Sequence, residues 1–138
     1  DYDDGVADSV FHGTTPIAFS PAVVGAVFAT VRPWRKVAFE AELLGKYVSR
    51  QFLDNTGNDA RSIPAYGLAD ARLRYRFVAG RRGQRMVGLQ LQVNNILNHR
   101  YVSNGYTFSY RYGGEVATEN FFFPQAGANA VAAVTLGL

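Results

Sequence analysis

Glu40 and Glu42 are the side chains that most invite a chemical reading, because two carboxylates that converge can divide general-acid and general-base work between them. Their spacing assigns them otherwise. Residues two apart on a strand are neighbours on one face, and Lys46 and Arg50 continue the same row, so a solvated charged stripe is expected. His12 and His99 are the two histidines, far apart and without partners at metal-ligand spacing, and the chain has no Cys to supply a thiolate ligand, a nucleophile or a disulfide. Asp1, Asp3, Asp4 and Asp8 form an acidic cluster but lack the Gly and the closing Glu of a calcium-binding loop, so a surface loop is expected there. Arg81, Arg82 and Arg85 with Gly80 and Gly83 have the composition of a phosphate clamp, yet they stand between two strand patterns rather than before a helix, which reads as a hairpin turn. These residues predict no enzyme, no metal site and no cofactor.

The chemistry that remains is recognition. In the stretch from Tyr101 to Phe122, Tyr106, Phe108, Tyr110 and Tyr112 alternate beside Asn104 and Arg111, and an upstream polar stretch carries Asp54, Asn55, Asn58 and Asp59. One reading makes the rings an aromatic girdle or a loop hairpin packed on itself. The other makes both stretches part of an outer vestibule where a small ligand docks.

Strands position all of these groups. From Val87 to Asn94 apolar residues (Val87, Leu89, Leu91, Val93) alternate with Gly88, Gln90, Gln92 and Asn94, the period of a strand with one greasy and one wet side. The closing stretch repeats the pattern, with Ala126, Ala128, Ala130, Ala132, Val134, Leu136 and Leu138 on one face and Gln125, Asn129 and Thr135 on the other. Between Val37 and Phe52 alternation sets Val37, Phe39, Ala41, Leu43 and Tyr47 against Glu40, Glu42, Lys46 and Arg50, a run far longer than the usual five or six residues of a soluble strand. Tyr66 to Phe77 puts Asp70, Arg72, Arg74 and Arg76 on one face; each Arg turned to lipid near the midplane would cost about 2–4 kcal/mol, so that row faces water. Ala22 to Arg32 is apolar on both faces, and its facing stays open. The sum is an all-β chain, an antiparallel meander of about five long strands. Short turns fall near Pro33 and Gly83 and long connections near Asn55 and Gly105, the asymmetry of a barrel with a periplasmic and an outer rim.

Composition fits this reading. Hydrophobic residues make up 48% and charged residues 18%, and the aromatic share of 14% is high enough to suit a strand protein with aromatic belts. The net charge of +3 is too small to point to nucleic acid. No apolar run is long enough for a membrane helix, so membrane residence would require a closed sheet.

The segments VNNILNHRYVSNGYTFSY (Val93 to Tyr110) and FFFPQAGANAVAAVTLGL (Phe121 to Leu138), supported upstream by PIAFSPAVVGAV (Pro16 to Val27) and GKYVSRQFLDNT (Gly45 to Thr56), resemble the C-terminal end of TonB-dependent outer-membrane receptors. The chain departs from the usual pattern in ending on Leu138 where an aromatic residue is customary, and at Leu97 and Ala130. The resemblance implies that residues 1–138 are the C-terminal segment of a transmembrane β-barrel of roughly 22 strands in the bacterial outer membrane, with the plug domain elsewhere in the protein. It implies active uptake of a nutrient such as a siderophore, metal chelate, cofactor or glycan. The partners would be outer-membrane lipid, the remaining strands and plug, and the TonB complex engaged through the N-terminal part, with no nucleic acid. A soluble β-sandwich or small ligand-binding barrel is the alternative, with the same apolar faces turned into a core.

Overall fold

The computed structural model describes residues 2–3, 6–7, 11, 13–34, 38–80 and 85–137. The expectations that fall on Asp1, Asp4, Asp8, His12, Val37, Arg81, Arg82, Gly83 and Leu138 lie outside them. The strands in chain order are β1 (Tyr2–Asp3), β2 (Val6–Ala7), β3 (Val24–Val31), β4 (Ala38–Val48), β5 (Gln51–Phe52), β6 (Ser62–Ile63), β7 (Tyr66–Ala79), β8 (Arg85–Asn94), β9 (Val102–Tyr112), β10 (Glu115–Pro124) and β11 (Asn129–Gly137). One 3-10 turn, Asp59–Arg61, is the only helical element among the described residues.

The chain is all-β. Its main sheet has five antiparallel strands in the order β11-β8-β7-β4-β3, and β1-β2, β5-β6 and β9-β10 are separate two-stranded ladders. No closed barrel is formed: β3 and β11 are the two edges. Residues 32–37 and 80–84 connect strands at one end of the sheet, while the long connections 49–65 and 95–128 lie at the other.

Register settles the facing of every strand of the main sheet. Glu42 pairs across to Arg72 and Glu40 to Arg74, Arg72 to Gln92 and Arg74 to Gln90, and Gln92 to Val131. The opposite face runs from Ala29 to Leu43, to Ala71, to Val93 and to Ala130. The first long strand, whose facing the sequence leaves open, thereby turns Val27, Ala29 and Val31 to the apolar side and Ala26, Phe28 and Thr30 to the polar side.

Besides the closing strand, which begins only at Asn129 rather than at Gln125, and the aromatic stretch, which is a hairpin rather than a loop, two stretches differ from the sequence expectation. The alternation from Val37 to Phe52 is not one strand: β4 ends at Val48 and β5 is a separate short piece. Ser49 makes the break, because its N–H donates to the Val23 carbonyl (2.9 Å) and its hydroxyl accepts from the Val23 N–H (3.0 Å), so alternation continues while the sheet ladder stops. The acidic N-terminal stretch, expected as loop, contributes the small β1-β2 ladder, with Tyr2 opposite Ala7 and Asp3 opposite Val6.

The buried residues do not underlie the sheet. Val48, Leu53, Ile63 and Tyr66, with Gln51 and Asn95, gather where the two long connections meet. On the sheet itself Val27, Leu43, Leu73, Leu89, Leu91 and Val134 remain exposed, Leu91 by 42% and Val134 by 67%. Among the described residues nothing covers either face.

Candidate functional site

The expected aromatic loop is a long β-hairpin. β9 and β10 pair from Tyr112 opposite Glu115 to Val102 opposite Pro124, and Gly113 and Gly114, at φ 62° and 85°, form the turn between them. Two consecutive positive φ values are what a two-residue hairpin turn matching strand twist needs, and glycine accepts both without strain. That Gly-Gly pair between alternating residues is the sequence signal from which the hairpin could have been read.

The hairpin has two unlike faces. Asn104, Tyr106, Phe108, Tyr110 and Tyr112 lie on one, opposite Phe123, Phe121, Glu119, Ala117 and Glu115. Tyr106 stacks on Phe121 at 4.9 Å and Phe108 on the same ring at 5.9 Å, with Phe108 and Tyr110 at 5.9 Å. The small interplanar angles, 12° and 3° at Phe121, mean that the rings stand beside one another and occupy each other's faces, as in a cross-strand ladder. The Tyr110 hydroxyl donates to Glu119 Oε1 (3.1 Å), and this hydrogen bond, reinforced by the carboxylate charge, holds the phenol above its ordinary pKa. Asn104 accepts from the Gly105 N–H (2.8 Å), while Arg111 falls on the other face, opposite Val116.

That other face is a polar clasp. Arg61, from the 3-10 turn, donates to Ser109 Oγ (2.8 Å), Thr118 Oγ1 (3.0 Å) and Asp54 Oδ2 (2.8 Å), and Asn120 Nδ2 donates to the Ala60 carbonyl (2.9 Å). Gly105 permits the close fit, since a Cβ there would lie 2.5 Å from the Phe121 carbonyl oxygen and 3.2 Å from a Leu53 methyl. Asp54 also accepts from the Thr56 N–H (3.0 Å) and hydroxyl (2.6 Å). Burial acts to raise its pKa, but the hydrogen bonds from Thr56 and Arg61 outweigh burial and hold the carboxyl below its ordinary value.

The structure divides the residues that the sequence grouped. The four rings come together on one face; Asp54 reaches the hairpin only through Arg61. Asn55 Oδ1 accepts from the Ala18 N–H (2.6 Å), Asn58 caps the 3-10 turn by accepting from the Ala60 N–H (2.9 Å), and Asp59 pairs with Arg50 (2.7 Å). Arg61, Ser109, Thr118 and Asn120, which the sequence reading did not single out, are the residues that orient the hairpin.

Two results are expected from this geometry. Arg61→Ala removes the bonds to both hydroxyls and leaves Asp54 without its cation, so tryptic cleavage after Arg111 should accelerate by about tenfold, at roughly 1–2 kcal/mol for the lost charged hydrogen bonds; an unchanged rate would remove the clasp from the account. The depressed pKa of Asp54 fixes the sign of the pH effect, because the folded state binds the proton less tightly than the unfolded one. The stabilisation is complete above the unfolded carboxylate pKa and is lost as pH falls through the lower folded value, so hairpin protection measured by hydrogen exchange should weaken in acid and be flat around neutrality.

A second polar constellation lies on the main sheet. Arg74 bridges Glu40 (2.8 Å) and Glu42 (3.1 Å), Arg72 reaches Glu42 (3.2 Å), and Arg32 binds Glu40 (2.7 Å). Amides extend the row: Arg72 to Gln92 (3.1 Å), Gln92 to Asn94 (2.7 Å) and Asn94 to Asn129 (2.9 Å). Glu40 and Glu42 are thus engaged as ion-pair acceptors. No metal-binding cluster occurs among the described residues.

The apolar face is the mirror of this row, and its charge content decides what it can meet. From β3 to β11 a single charged side chain among the described residues interrupts it: Arg85, at the very end of β8 opposite Ala79. No family model, curated protein or solved structure matches the chain. The functional reading rests on this geometry and on the sequence resemblance.

Proposed function

We propose that the chain is the C-terminal segment of a TonB-dependent outer-membrane receptor barrel, taking part in energised uptake of a small nutrient. The observation that carries the proposal is the division of the main sheet: all of its paired charges on one face, and on the other an apolar surface that no described residue covers. A soluble domain of this size rarely leaves so large an apolar face bare. In lipid such a face is the solvated one, and only a closed sheet satisfies its edges there.

Dimensions agree with this reading. β4, β8 and β11 have 11, 10 and 9 residues and β7 has 14, against the roughly 9–11 that a tilted membrane strand requires. The ends of the face carry rings. Phe39 is opposite Tyr75, which stacks on Phe77 at 5.4 Å, all near the short-turn end, while Tyr47 stands near the other. Leu43, Leu73, Leu89 and Leu91 fill the middle, the order expected of an apolar band between aromatic girdles. The β9-β10 hairpin and the 49–65 connection then belong to the outer rim, where cargo would first be met; the TonB complex would engage the protein through its N-terminal part.

The experiment is expression within the full reading frame, recovery of outer membranes, and electrophoresis with and without boiling. A heat-sensitive shift with the hairpin accessible on intact cells is expected, and a soluble product would overturn the proposal. In the inserted protein, Tyr106→Ala with Tyr110→Ala should reduce uptake by several-fold; undiminished uptake would restrict those rings to holding the hairpin.

A further inference from the structure

We propose that the polar face of the main sheet carries a binding site, near its short-turn end, for a small carboxylate with an apolar body, held by Arg76, Gln90 and Thr135. The site is separate from the aromatic hairpin and lies on the charged face, so it goes beyond the receptor reading and does not depend on which solvent meets the apolar face. The first observation is a recess of about 670 Å3, within the roughly 300–1,000 Å3 typical of small-molecule sites. Register explains it. Arg76 is opposite Ala38 on one side and Gly88 on the other, Gly88 is opposite Thr135, and Met86 is opposite Gly137. Ala38, Gly88 and Gly137 thus form a floor of small residues. A Cβ added at Gly88 would lie 3.5 Å from Thr135 Cβ and 3.8 Å from Arg76 Cγ, so the arginine and the threonine flank the glycine directly.

The second observation is the set of polar groups left over in that recess. Arg32 is engaged with Glu40, Arg74 with Glu40 and Glu42, and Arg72 with Glu42. Arg76 has no hydrogen-bond or ion-pair partner among the described residues. Gln90 accepts from Arg74 Nε through its Oε1 (3.3 Å), and neither its Nε2 nor the Thr135 hydroxyl is engaged among the described residues. One uncompensated guanidinium and two neutral donors therefore stand around Gly88 on one face. These groups specify the ligand. The planar fork of an arginine matches both oxygens of a carboxylate, and an amide and a hydroxyl can fill the remaining lone pairs. A single uncompensated cation balances one negative charge, whereas a phosphate dianion would bring a second charge with no partner. The third observation is the wall: Trp34 and Met86, both more than half exposed, line the same recess. A bare anion would leave them in water; an aromatic or hydrocarbon body attached to the carboxylate would cover them.

The test is equilibrium dialysis of the full-length protein against labelled phenylacetate, an aromatic monocarboxylate. Binding is expected, with the neutral analogue phenylacetamide about tenfold weaker because it offers no charged acceptor to Arg76, and with phenyl phosphate no tighter. Arg76→Gln should weaken phenylacetate by about tenfold, and Arg76→Lys should recover only part of the loss, since a point charge replaces the fork. Gly88→Val, which suits a strand but fills the floor of the recess, should abolish binding. Arg100→Gln, at the other end of the sheet, should leave it unchanged. Failure of a heat-modifiable wild-type protein to bind phenylacetate overturns the inference and leaves the receptor reading standing. Equal binding of phenylacetamide, tighter binding of phenyl phosphate, or an Arg76→Gln protein that binds like the wild type does the same. A wild-type protein that binds phenylacetate but shows no heat-sensitive shift keeps the site and overturns the receptor reading.

Discussion

Leu91→Arg should abolish outer-membrane insertion, whereas Gln92→Glu, one residue along the same strand, should leave it intact. Leu91 is opposite Leu73 on one side and Ala132 on the other, so apolar residues flank it across the face and neither end of β8 lies at its position. A guanidinium there costs about 2–4 kcal/mol against lipid, one to three orders of magnitude in the insertion equilibrium, and its stem is too short to reach either rim. Gln92 faces the other way and accepts from Arg72 Nε at 3.1 Å. A carboxylate in its place strengthens that contact on a face already built from ion pairs. The comparison is read as the heat-modifiable fraction in isolated outer membranes. Equal insertion of the two variants would mean that the two faces do not meet different solvents.

Asn95→Ala should be the most damaging polar substitution in the chain. Asn95 is buried, 4% exposed, and holds φ at 51°. Its Nδ2 donates to the carbonyls of His99 (2.9 Å) and Ala126 (3.3 Å), its Oδ1 accepts from the His99 N–H (3.0 Å), and its own N–H donates to Asp70 Oδ1 (2.8 Å). One side chain therefore ties the end of β8 to both feet of the β9-β10 hairpin. Alanine abandons three backbone groups and adds about 1–2 kcal/mol of left-handed strain, for a total on the order of 3 kcal/mol or more. Glycine relieves the strain alone, so Asn95→Gly should recover about 1 kcal/mol. Urea midpoints of the inserted protein and tryptic cleavage after Arg100 check this order. A glycine variant as weak as alanine would show that hydrogen bonds rather than backbone conformation set the whole cost.

Most of the strands and their facing were legible because the period of two runs unbroken along β4, β7 and β8. Arg72, Arg74 and Arg76 could not face lipid at about 2–4 kcal/mol each, and the register places them opposite Glu42, Glu40 and Ala38 as a single wet row. β3 was not legible by itself, since Val27 and Phe28 are equally apolar; its facing comes from pairing with β4, a non-local fact. The interruption at Ser49 was hidden because a side chain that bonds back to Val23 leaves the alternation untouched. The candidate site was legible as residue types and not as an arrangement. Tyr106, Phe108, Tyr110 and Tyr112 announced a face, but Asp54, Asn58 and Asp59 turned out to hold their own connection and its 3-10 turn together, and Asn55 to tie it to Ala18 ahead of the sheet. Arg61, which joins the two long connections, gave no local signal, because its partners Ser109 and Thr118 are distant in sequence.

Site-directed labelling of β8 is straightforward because residues 1–138 contain no native Cys, once any Cys elsewhere in the protein is replaced. Single Cys residues placed in turn at positions 87 to 93 of the full-length, membrane-inserted protein would carry a nitroxide, with collision rates measured against oxygen, which concentrates in lipid, and against a water-soluble nickel chelate. The account predicts a period of two: labels at Val87, Leu89, Leu91 and Val93 meet oxygen, and those at Gly88, Gln90 and Gln92 meet the chelate. If the odd positions are shielded from both reagents, the apolar face lies against protein, and the sheet is the wall of a soluble core rather than of a membrane barrel.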